Sequence, residues 1–313
     1  MNRVRRALAG FALASLALAG FALAGCTQPG FGPPAAAAHP LLTPPRSLLY
    51  LGLHEPGREA PYAGVARFTA ASGVRPNVVL AYARWGDGFD FQLAYRTRAS
   101  HAEPLIQWQP AGVSLAAIAA GRRDRYLRMF ANEARRFGGP VIISFAPEMT
   151  SPQHRWSQPA TSALVWVAAW RHVVTVFRHQ RAANVTWLWT VSHAAGPKRL
   201  RAYWPGPSYV SWVGIDGYLL SPAATYTSVF GPSIAAVRQV TGKPILIART
   251  AVSPATGRQA ADIAGLFAGI RRDHLLGLVW FDQPGPGFAG KWLPASGRAR
   301  SAFQAGVRAS LWL

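Results

Sequence analysis

The chain has 313 residues, of which 50% are hydrophobic and 14% charged, and its formal net charge is +21. Such a composition supports a large hydrophobic core, and a single cysteine excludes an internal disulfide framework. No basic run is interleaved with aromatic residues, so we expect no nucleic-acid partner. The charge indicates either attraction to anionic lipid head groups or wall polymers, or only the arginine usage of a GC-rich genome.

The first 25 residues have the pattern of a bacterial lipoprotein signal peptide. A basic start at 2–6 is followed by an apolar stretch at 7–22 and by the tetrapeptide LAGC, which ends at Cys26. Such proteins are cleaved and lipidated at a cysteine in this position. The alternatives are a plain secretory signal or a membrane helix, which needs about 20 apolar residues. We expect a lipidated Cys26 and a secreted protein anchored at the bacterial membrane or cell surface.

Residues 26–46 are predicted to form a tether, because they are rich in proline and alanine and show no apolar periodicity. The segment 47–313 has the length of one barrel domain. We expect this domain to be a monomer without a cofactor.

Short apolar, β-branched runs recur through the domain and predict eight strands. They are Leu48–Leu53, Val78–Ala83, Leu105–Trp108, Val141–Ala146, Val185–Thr190, Val210–Ile215, Ile245–Ala248 and Leu278–Phe281. Stretches with helical spacing lie between most of them, at Leu115–Phe137, Ser162–Gln180, Ser233–Thr241, Ala260–Asp273 and Arg298–Leu311. Strands that are apolar throughout are buried on both faces, so the pattern predicts a single (β/α)8 TIM barrel. A doubly wound sheet would have a glycine-rich turn where this chain has LGLHEPGREAP.

A (β/α)8 barrel carries its chemistry on the loops that follow the strands. The residues in these positions are Glu55, Trp85, Asp87, Asp90, Gln109, Glu148, Ser192, His193, Asp216, Tyr218, Arg249 and Asp282. Six of the twelve acidic residues of the chain are among them, which favours an acidic cleft. Aspartates in such positions also cap helices, whereas Glu148 is a poor cap by residue type.

Aromatic residues are also frequent near the same strand ends. They are Trp85, Trp108, Trp156, Trp187, Trp189, Trp280 and Phe281. Exposed aromatic faces stack on sugar rings, and together with carboxylates they suggest a cleft for a polysaccharide or cell-wall glycan. The alternative is that several of them fill the core. No metal-ligand spacing is present, and we interpret His54, His154 and His193 as loop or core histidines.

Several segments resemble glycoside hydrolase family 26, the family of β-mannanases and related endoglucanases. They are YLGLHEPG, YARWGDGF, PLIQWQP, AGRRDRYLRMFANEARRFGGPVIISFAPEMT, AWRHVVTVFRHQRAANVTWLWT, YWPGPSYVSWVGIDGY and KPILIART. They occur in the family's order and cover about residues 47 to 285. The stretch YVSWVGIDGY followed by KPILIA is the most specific part.

The resemblance implies a retaining mechanism with two glutamates. Glu148 matches the acid/base after the fourth strand, and Ala248-Arg249-Thr250 matches the Ala-Glu-Thr that carries the nucleophile, so arginine occupies the nucleophile position. The chain departs from the family also at Ser144, Pro147 and Thr150, where the family's Met-Asn is Met149-Thr150. The resemblance further implies substrate contacts from Tyr218 and from Trp280, a platform for the sugar at the cleavage point. We add Trp85, Trp156, His193, Asp216 and Asp282 as predicted substrate-binding residues.

Arginine is neither a nucleophile nor a stabiliser of a positively charged transition state. A nearby guanidinium also lowers a carboxyl pKa, which would keep Glu148 ionised. We therefore expect an ion pair between Glu148 and Arg249. Three hypotheses follow: a glycan-binding or scaffolding lipoprotein without hydrolysis; a hydrolase with a rewired site, using Asp216, Asp282 or Glu55 as base; and a binder of an anionic sugar held by Arg249.

Overall fold

The structure is a computed structural model that describes residues 49–54, 62–157, 160–193, 195–281, 294 and 296–310. The compact unit that carries the barrel is His39–Leu313, and the other unit, Met1–Ala38, lies outside the described residues. The predicted signal peptide, Cys26 and the tether at 26–46 therefore stay predictions.

Eight strands close into a parallel barrel in which neighbours follow the chain order. They are β1 (Tyr50–His54), β2 (Val78–Arg84), β3 (Glu103–Gln109), β4 (Val141–Phe145), β5 (Val185–Ser192), β6 (Trp212–Asp216), β7 (Ile245–Thr250) and β8 (Gly277–Trp280). Each predicted run overlaps one of them, so the prediction of a (β/α)8 barrel is confirmed.

Nine α-helices surround the strands within the described residues. They are α1 (Ala63–Ser72), α2 (Phe91–Ala99), α3 (Leu115–Ala119), α4 (Asp124–Phe137), α5 (Ala163–His179), α6 (Pro197–Ala202), α7 (Tyr226–Arg238), α8 (Gln259–Arg272) and α9 (Gly297–Ser310). None of these helices is long and apolar enough to cross a membrane.

Two helix predictions differ from the structure. The single stretch predicted at Leu115–Phe137 is divided into α3 and α4, because Gly121 adopts a left-handed φ of 73° between them. The stretch predicted from Ser233 begins earlier, at Tyr226, where Thr225 and Ser228 form a capping box. Helices α1, α2 and α6 had not been predicted.

Side chains alternate along each strand between the barrel interior and the surrounding helices. The interior cluster consists of Tyr50, Val78, Leu80, Leu105, Ile142, Leu188, Trp212, Leu246, Ala248 and Val279. Close packing leaves no room for a side chain at Gly52, where a Cβ would lie 2.6 Å from Val279 Cγ2. The barrel is therefore filled and has no axial pore, so that ligands meet it at its ends.

The two ends of the barrel differ in function in proteins of this architecture. We call the end that holds the C-terminal ends of the strands the mouth. The other end, where the strands begin and the helices end, we call the base.

Candidate active site at the barrel mouth

Arg249 faces the barrel mouth because β7 contains an irregularity there. Ile247 pairs with Ile215 of β6, but the next residue of β6, Asp216, pairs with Arg249, so Ala248 is an extra residue on β7. Ala248 belongs to the interior cluster, and simple alternation would turn the following side chain outward. A β-bulge re-aims the side chains that follow it. Both Ala248 and Arg249 consequently point toward the barrel axis.

The Arg249 guanidinium joins two carboxylates from different strands. Its Nε donates to Asp216 Oδ2 at 2.8 Å, its Nη2 forms an ion pair with the same oxygen at 2.7 Å, and Nη2 donates to Glu148 Oε2. Its Nη1 donates to the Tyr82 hydroxyl, at 2.7 Å. The exposed fractions of the three charged side chains are 14% for Arg249, 1% for Asp216 and 18% for Glu148. The expected contact between Glu148 and Arg249 is thus present, and the two-nitrogen contact is to Asp216.

Glu148 is presented by an unusual backbone just beyond β4. Ala146 and Glu148 have positive φ values of 44° and 55°, which non-glycine residues rarely adopt. The Glu148 amide donates to the Thr190 carbonyl at 2.9 Å, and the Ala146 amide donates to that of Trp108 at 2.9 Å. These bonds to β5 and β3 hold the turn. Backbone strain of this kind persists where the surrounding structure fixes it, and it is concentrated at functional sites.

His154 is a second partner of Glu148, with its Nε2 3.2 Å from Oε2. The imidazole stacks on Trp156 at a centroid distance of 4.5 Å and an angle of 5°. Trp156 is in turn fixed by its indole Nε1, which donates to the Pro147 carbonyl at 2.7 Å. Our interpretation of His154 as a loop or core histidine missed this role. Its position six residues after Glu148, in the same loop, was the only available signal.

Aromatic rings from the first and last strands border the Arg249 cluster. His54 is buried at the end of β1, where it stacks on Phe281 at 4.7 Å and lies 5.1 Å from Tyr82. The Phe281 ring lies under the Arg249 Cζ at 5.9 Å, within the range of a cation–π contact. Tyr218 meets Phe281 at 6.0 Å. Apart from Tyr218 and Phe281, these neighbours were not predicted as site residues.

Burial and charge set the protonation of the cluster. Burial, together with the smaller effect of the Arg249 charge, lowers the pKa of His54 to about 3. Burial raises the pKa of Asp216 to about 7 against the opposing effect of Arg249. Burial also favours neutral Glu148, but the His154 hydrogen bond and the Arg249 charge together hold its pKa below the ordinary value. Glu148 is therefore ionised at neutral pH, as the sequence predicted.

Trp280 does not provide a platform for a sugar. Its side chain is fully buried and packs edge-on against Phe303 of α9, at 5.3 Å. The prediction was wrong because the strand alternation places Val279 inward and Trp280 toward the helices. Phe281, one residue further, is the aromatic side chain of this strand end that faces the mouth.

The remaining predicted residues fall into three groups. Trp85 stacks on Trp108 at 5.5 Å and 9° and contacts Tyr126, so its described contacts are packing contacts on the helix side. The His193 side chain is exposed, while its backbone amide donates to the Asp216 carbonyl at 3.1 Å. Asp282 and Glu55 lie outside the described residues.

Other candidate residues have structural roles. Trp108, Trp187 and Trp189 are buried in the core, as the alternative interpretation of the aromatics proposed. Asp90 caps α2 by accepting from the Leu93 amide at 2.9 Å. Within the described part of the chain, no group of three or more histidine, cysteine, aspartate or glutamate side chains could hold a metal ion.

The fold and the site define a class of protein, the (β/α)8 barrels whose mouth carries carboxylates. Comparisons with known proteins show which members of this class the chain is similar to. No family model matches the sequence. Endoglucanase H of Acetivibrio thermocellus is 23% identical over 244 residues, which are 72% of this chain and 27% of that protein. The chain thus spans about a quarter of the length of this curated relative.

Solved structures of β-mannanases are similar in fold. The Bacillus subtilis mannanase BCman superposes with a TM-score of 0.65 at 14% identity, over 83% of this chain and 85% of that one. A GH26 β-mannanase from Bacteroides ovatus superposes with a TM-score of 0.63 at 14% identity, over 86% of this chain and 90% of that one. An endo-β-1,4-mannanase double mutant from Cellulomonas fimi superposes with a TM-score of 0.64 at 15% identity, over 83% of this chain and 70% of that one. The barrel accordingly has a fold like that of the glycoside hydrolase family 26 β-mannanases.

Proposed function

We propose that the protein is a cell-surface relative of the family 26 glycoside hydrolases that binds a polysaccharide at the barrel mouth and has lost, or strongly reduced, retaining hydrolysis. The ion pairs of Arg249 with Glu148 and Asp216 are the observation that carries this proposal. The similarity of fold to β-mannanases supports the substrate class.

A retaining mechanism requires a second carboxylate about 5–5.5 Å from the acid, to attack the anomeric carbon. Arg249 meets Glu148 directly, and a guanidinium cannot form a glycosyl-enzyme intermediate. Its positive charge also opposes an oxocarbenium-like transition state. Because the surroundings of Glu148 also keep it ionised, Glu148 cannot donate a proton to the leaving group at neutral pH. The same contacts therefore leave the retaining mechanism without a nucleophile and without a protonated acid at Glu148.

The mouth retains groups that suit a neutral sugar. Tyr82 is 37% exposed although its hydroxyl is held by Arg249, so its ring is available for stacking. His54 packs against this ring at 5.1 Å with both of its ring nitrogens buried, so a sugar at the mouth meets the Tyr82 ring and not the imidazole.

The geometry does not favour the anionic-sugar hypothesis. Arg249 already donates to two carboxylates and to Tyr82, so a uronate or phosphate would have to displace one of these partners. One guanidinium between two carboxyl groups also does not create a strongly positive site.

A rewired hydrolase is the second candidate, and the raised pKa of Asp216, about 7, is the observation that favours it. A carboxyl group that retains a proton near neutral pH is suited to general acid catalysis. Its burial, with only 1% exposed, speaks against direct contact with a sugar. Asp282 and Glu55 are the other carboxylates that this candidate could use.

The test is to incubate the full chain with mannans, mixed-linkage glucans and cell-wall polysaccharides, and to measure binding and released reducing ends in parallel. We expect binding without release for the wild type and for Glu148→Gln. Release by the wild type that Glu148→Gln abolishes would refute the loss of activity and favour the rewired hydrolase. Arg249→Glu restores a carboxylate and is expected to permit release, whereas the matched charge change Arg67→Glu on the exposed face of α1 is not.

We also propose that Cys26 carries a lipid that holds the protein at the membrane. The support is the basic, apolar and LAGC pattern of residues 2–26.

A further inference from the structure

Basic side chains are concentrated where the helices end. Seven helices have one or two of them in their last turn within the described part of the chain. These are Arg96 and Arg98 of α2, Arg135 and Arg136 of α4, Arg178 and His179 of α5, Arg199 and Arg201 of α6, Arg238 of α7, Arg271 and Arg272 of α8, and Arg308 of α9.

The barrel topology brings these helix ends together at the base, because each helix leads into the N-terminal end of the next parallel strand. Contacts between successive elements agree with this placement. Arg201 donates to the Gln239 carbonyl just after α7, at 2.9 Å, and Arg238 donates to the Lys243 carbonyl at 3.0 Å. Arg75 and Arg181 add two exposed cations in the links that enter β2 and β5. We call these basic side chains at the base, which come from seven helices and two links, the basic face.

Acidic residues do not neutralise this face. Among the described helix ends, links and strand starts at the base, the acidic side chains are Glu103 and Asp273. Asp273 already pairs with Arg272, at 2.9 Å. Burial raises the pKa of Glu103 to about 7, so it contributes less than a full negative charge at neutral pH. The described acids near the mouth end are more numerous, namely Asp87, Asp90, Asp124, Glu148, Asp216 and Asp262.

Helix stability does not fully account for the pattern. A cation in the last turn interacts favourably with the helix dipole, and this explains one basic residue for each helix. It does not require the second arginine of the short helix α6, nor Arg75, which lies two residues beyond the C-cap of α1. The base differs from the mouth in having few acids, because arginines such as Arg84, Arg122 and Arg155 also lie near the mouth.

The chain itself reaches the barrel at this face. Strand β1 begins at Tyr50, and the start of a strand lies at the base. Leu49, the first described residue, therefore lies at the basic end, and Cys26 precedes it in the sequence. The mouth, with Glu148 and Arg249, is at the opposite end.

We propose that the basic face at the barrel base is a docking surface for an anionic lipid bilayer, which orients the mouth away from the membrane. Guanidinium groups pair with lipid phosphates, and several arginines on one face add their attraction within a Debye length of the surface. This proposal does not depend on whether the mouth binds or hydrolyses a glycan.

The test uses the full chain with Cys26→Ser in every sample, so that no lipid is attached and the N-terminal segment is identical throughout. A base variant replaces four exposed arginines by glutamine, at Arg75, Arg98, Arg181 and Arg308. A matched variant makes the same change in net charge at the mouth end, at Arg84, Arg122, Arg125 and Arg155. Sedimentation with vesicles of phosphatidylcholine, with and without phosphatidylglycerol, measures partitioning at low and high salt.

We expect the wild type to bind the phosphatidylglycerol vesicles, and to bind them more weakly at high salt. The base variant should bind them at least about tenfold more weakly than the wild type, and the mouth-end variant should bind within about twofold of the wild type. Equal losses in both variants would mean that only net charge matters and would overturn the proposal. Equal binding to neutral vesicles would overturn it too. So would base-dependent binding to a soluble polyphosphate without binding to vesicles, which would indicate an anionic polymer instead.

A second measurement does not depend on the folding of any variant. Hydrogen exchange of the wild type on phosphatidylglycerol vesicles should slow in the links that enter β2, β3 and β5 and stay unchanged in the loops that follow β4 and β7. Protection at the mouth, or at neither end, would contradict the orientation.

Discussion

Arg249 donates from Nε to Asp216 Oδ2 at 2.8 Å, and its Nη2 lies 2.7 Å from the same oxygen, across the register shift between β6 and β7. A hydrogen bond and an ion pair to one buried carboxylate restrict the orientation of the guanidinium. Its remaining nitrogen, Nη1, then reaches Tyr82, and Nη2 also reaches Glu148. The bulge in β7 and the carboxylate on β6 thus act together to hold a cation at the centre of the mouth.

Asp216→Asn should make the stability of the protein less sensitive to rising pH. The folded pKa of Asp216, about 7, lies above its ordinary value of 3.8, so its contribution to stability is complete below about pH 4 and is lost as the pH rises to about 7. Urea unfolding at pH 4 and at pH 7 measures this loss, which should be smaller in the variant by more than about 2 kcal/mol. Asp262→Asn is the matched control, since Asp262 pairs with Arg258, whose side chain is 43% exposed. An equal change in both variants would show that the burial of Asp216 has no special weight.

His54 should make the folded state less stable in mild acid. Its folded pKa of about 3 lies below its ordinary value of 6.5. The unfolded chain therefore binds a proton as the pH falls below 6.5 and the folded protein does not, so the His54 contribution is complete above that pH and declines toward about pH 3. Between about pH 7 and pH 5 the loss amounts to about 2 kcal/mol.

A His54→Leu variant tests this pH dependence in urea unfolding. The difference in stability between wild type and variant should change by about 2 kcal/mol over that pH interval. The opposite contribution of Asp216, whose pKa is raised, cancels to the extent that it is the same in both proteins. The exposed His179→Leu serves as control, and an equal change there would assign the effect to histidine loss in general.

Substitution of Trp280 should affect the unfolding free energy, and substitution of Phe281 should affect the affinity for glycan. Trp280→Ala removes a fully buried side chain and should cost about 3–5 kcal/mol of unfolding free energy, with glycan affinity unchanged in the folded fraction. Phe281→Ala should weaken glycan binding roughly tenfold with a smaller effect on stability, because its ring faces the mouth beneath Arg249. Titration of both variants with the glycan that the wild type retains gives the comparison. The reverse outcome would return the platform role to Trp280.

Cys26→Ser should abolish incorporation of labelled palmitate when the full chain is expressed with its native N-terminus in a bacterial host. Lipidation and cleavage both take place at this cysteine in the proposal, and serine cannot carry a thioether-linked lipid, so the variant should also keep residues 1–25. Labelling, followed by measurement of the mass of the chain, detects both changes. Thr27→Ser is the neighbouring control and should be labelled and shortened like the wild type. A wild-type chain that carries no label would contradict the lipid anchor.

The sequence determined the strands, the barrel and the end of the barrel at which Glu148 and Arg249 meet. This was possible because near-continuous apolar runs such as Ile245–Ile247 specify buried parallel strands, and because parallel strands place all their C-terminal ends on one side. The ionisation of Glu148 could be predicted from charge alone, since any guanidinium within reach lowers a carboxyl pKa.

Only the tertiary structure decided which side chains face the mouth. A one-residue shift in a strand exchanges its two faces, so the bulge at Ala248 turned Arg249 inward. In β8 the alternation of side chains placed Trp280 in the core and Phe281 at the site. Tyr82 and His154 join the cluster through contacts across 167 and 6 residues of chain. Local periodicity does not encode such contacts, because they depend on how distant strand ends converge when the barrel closes.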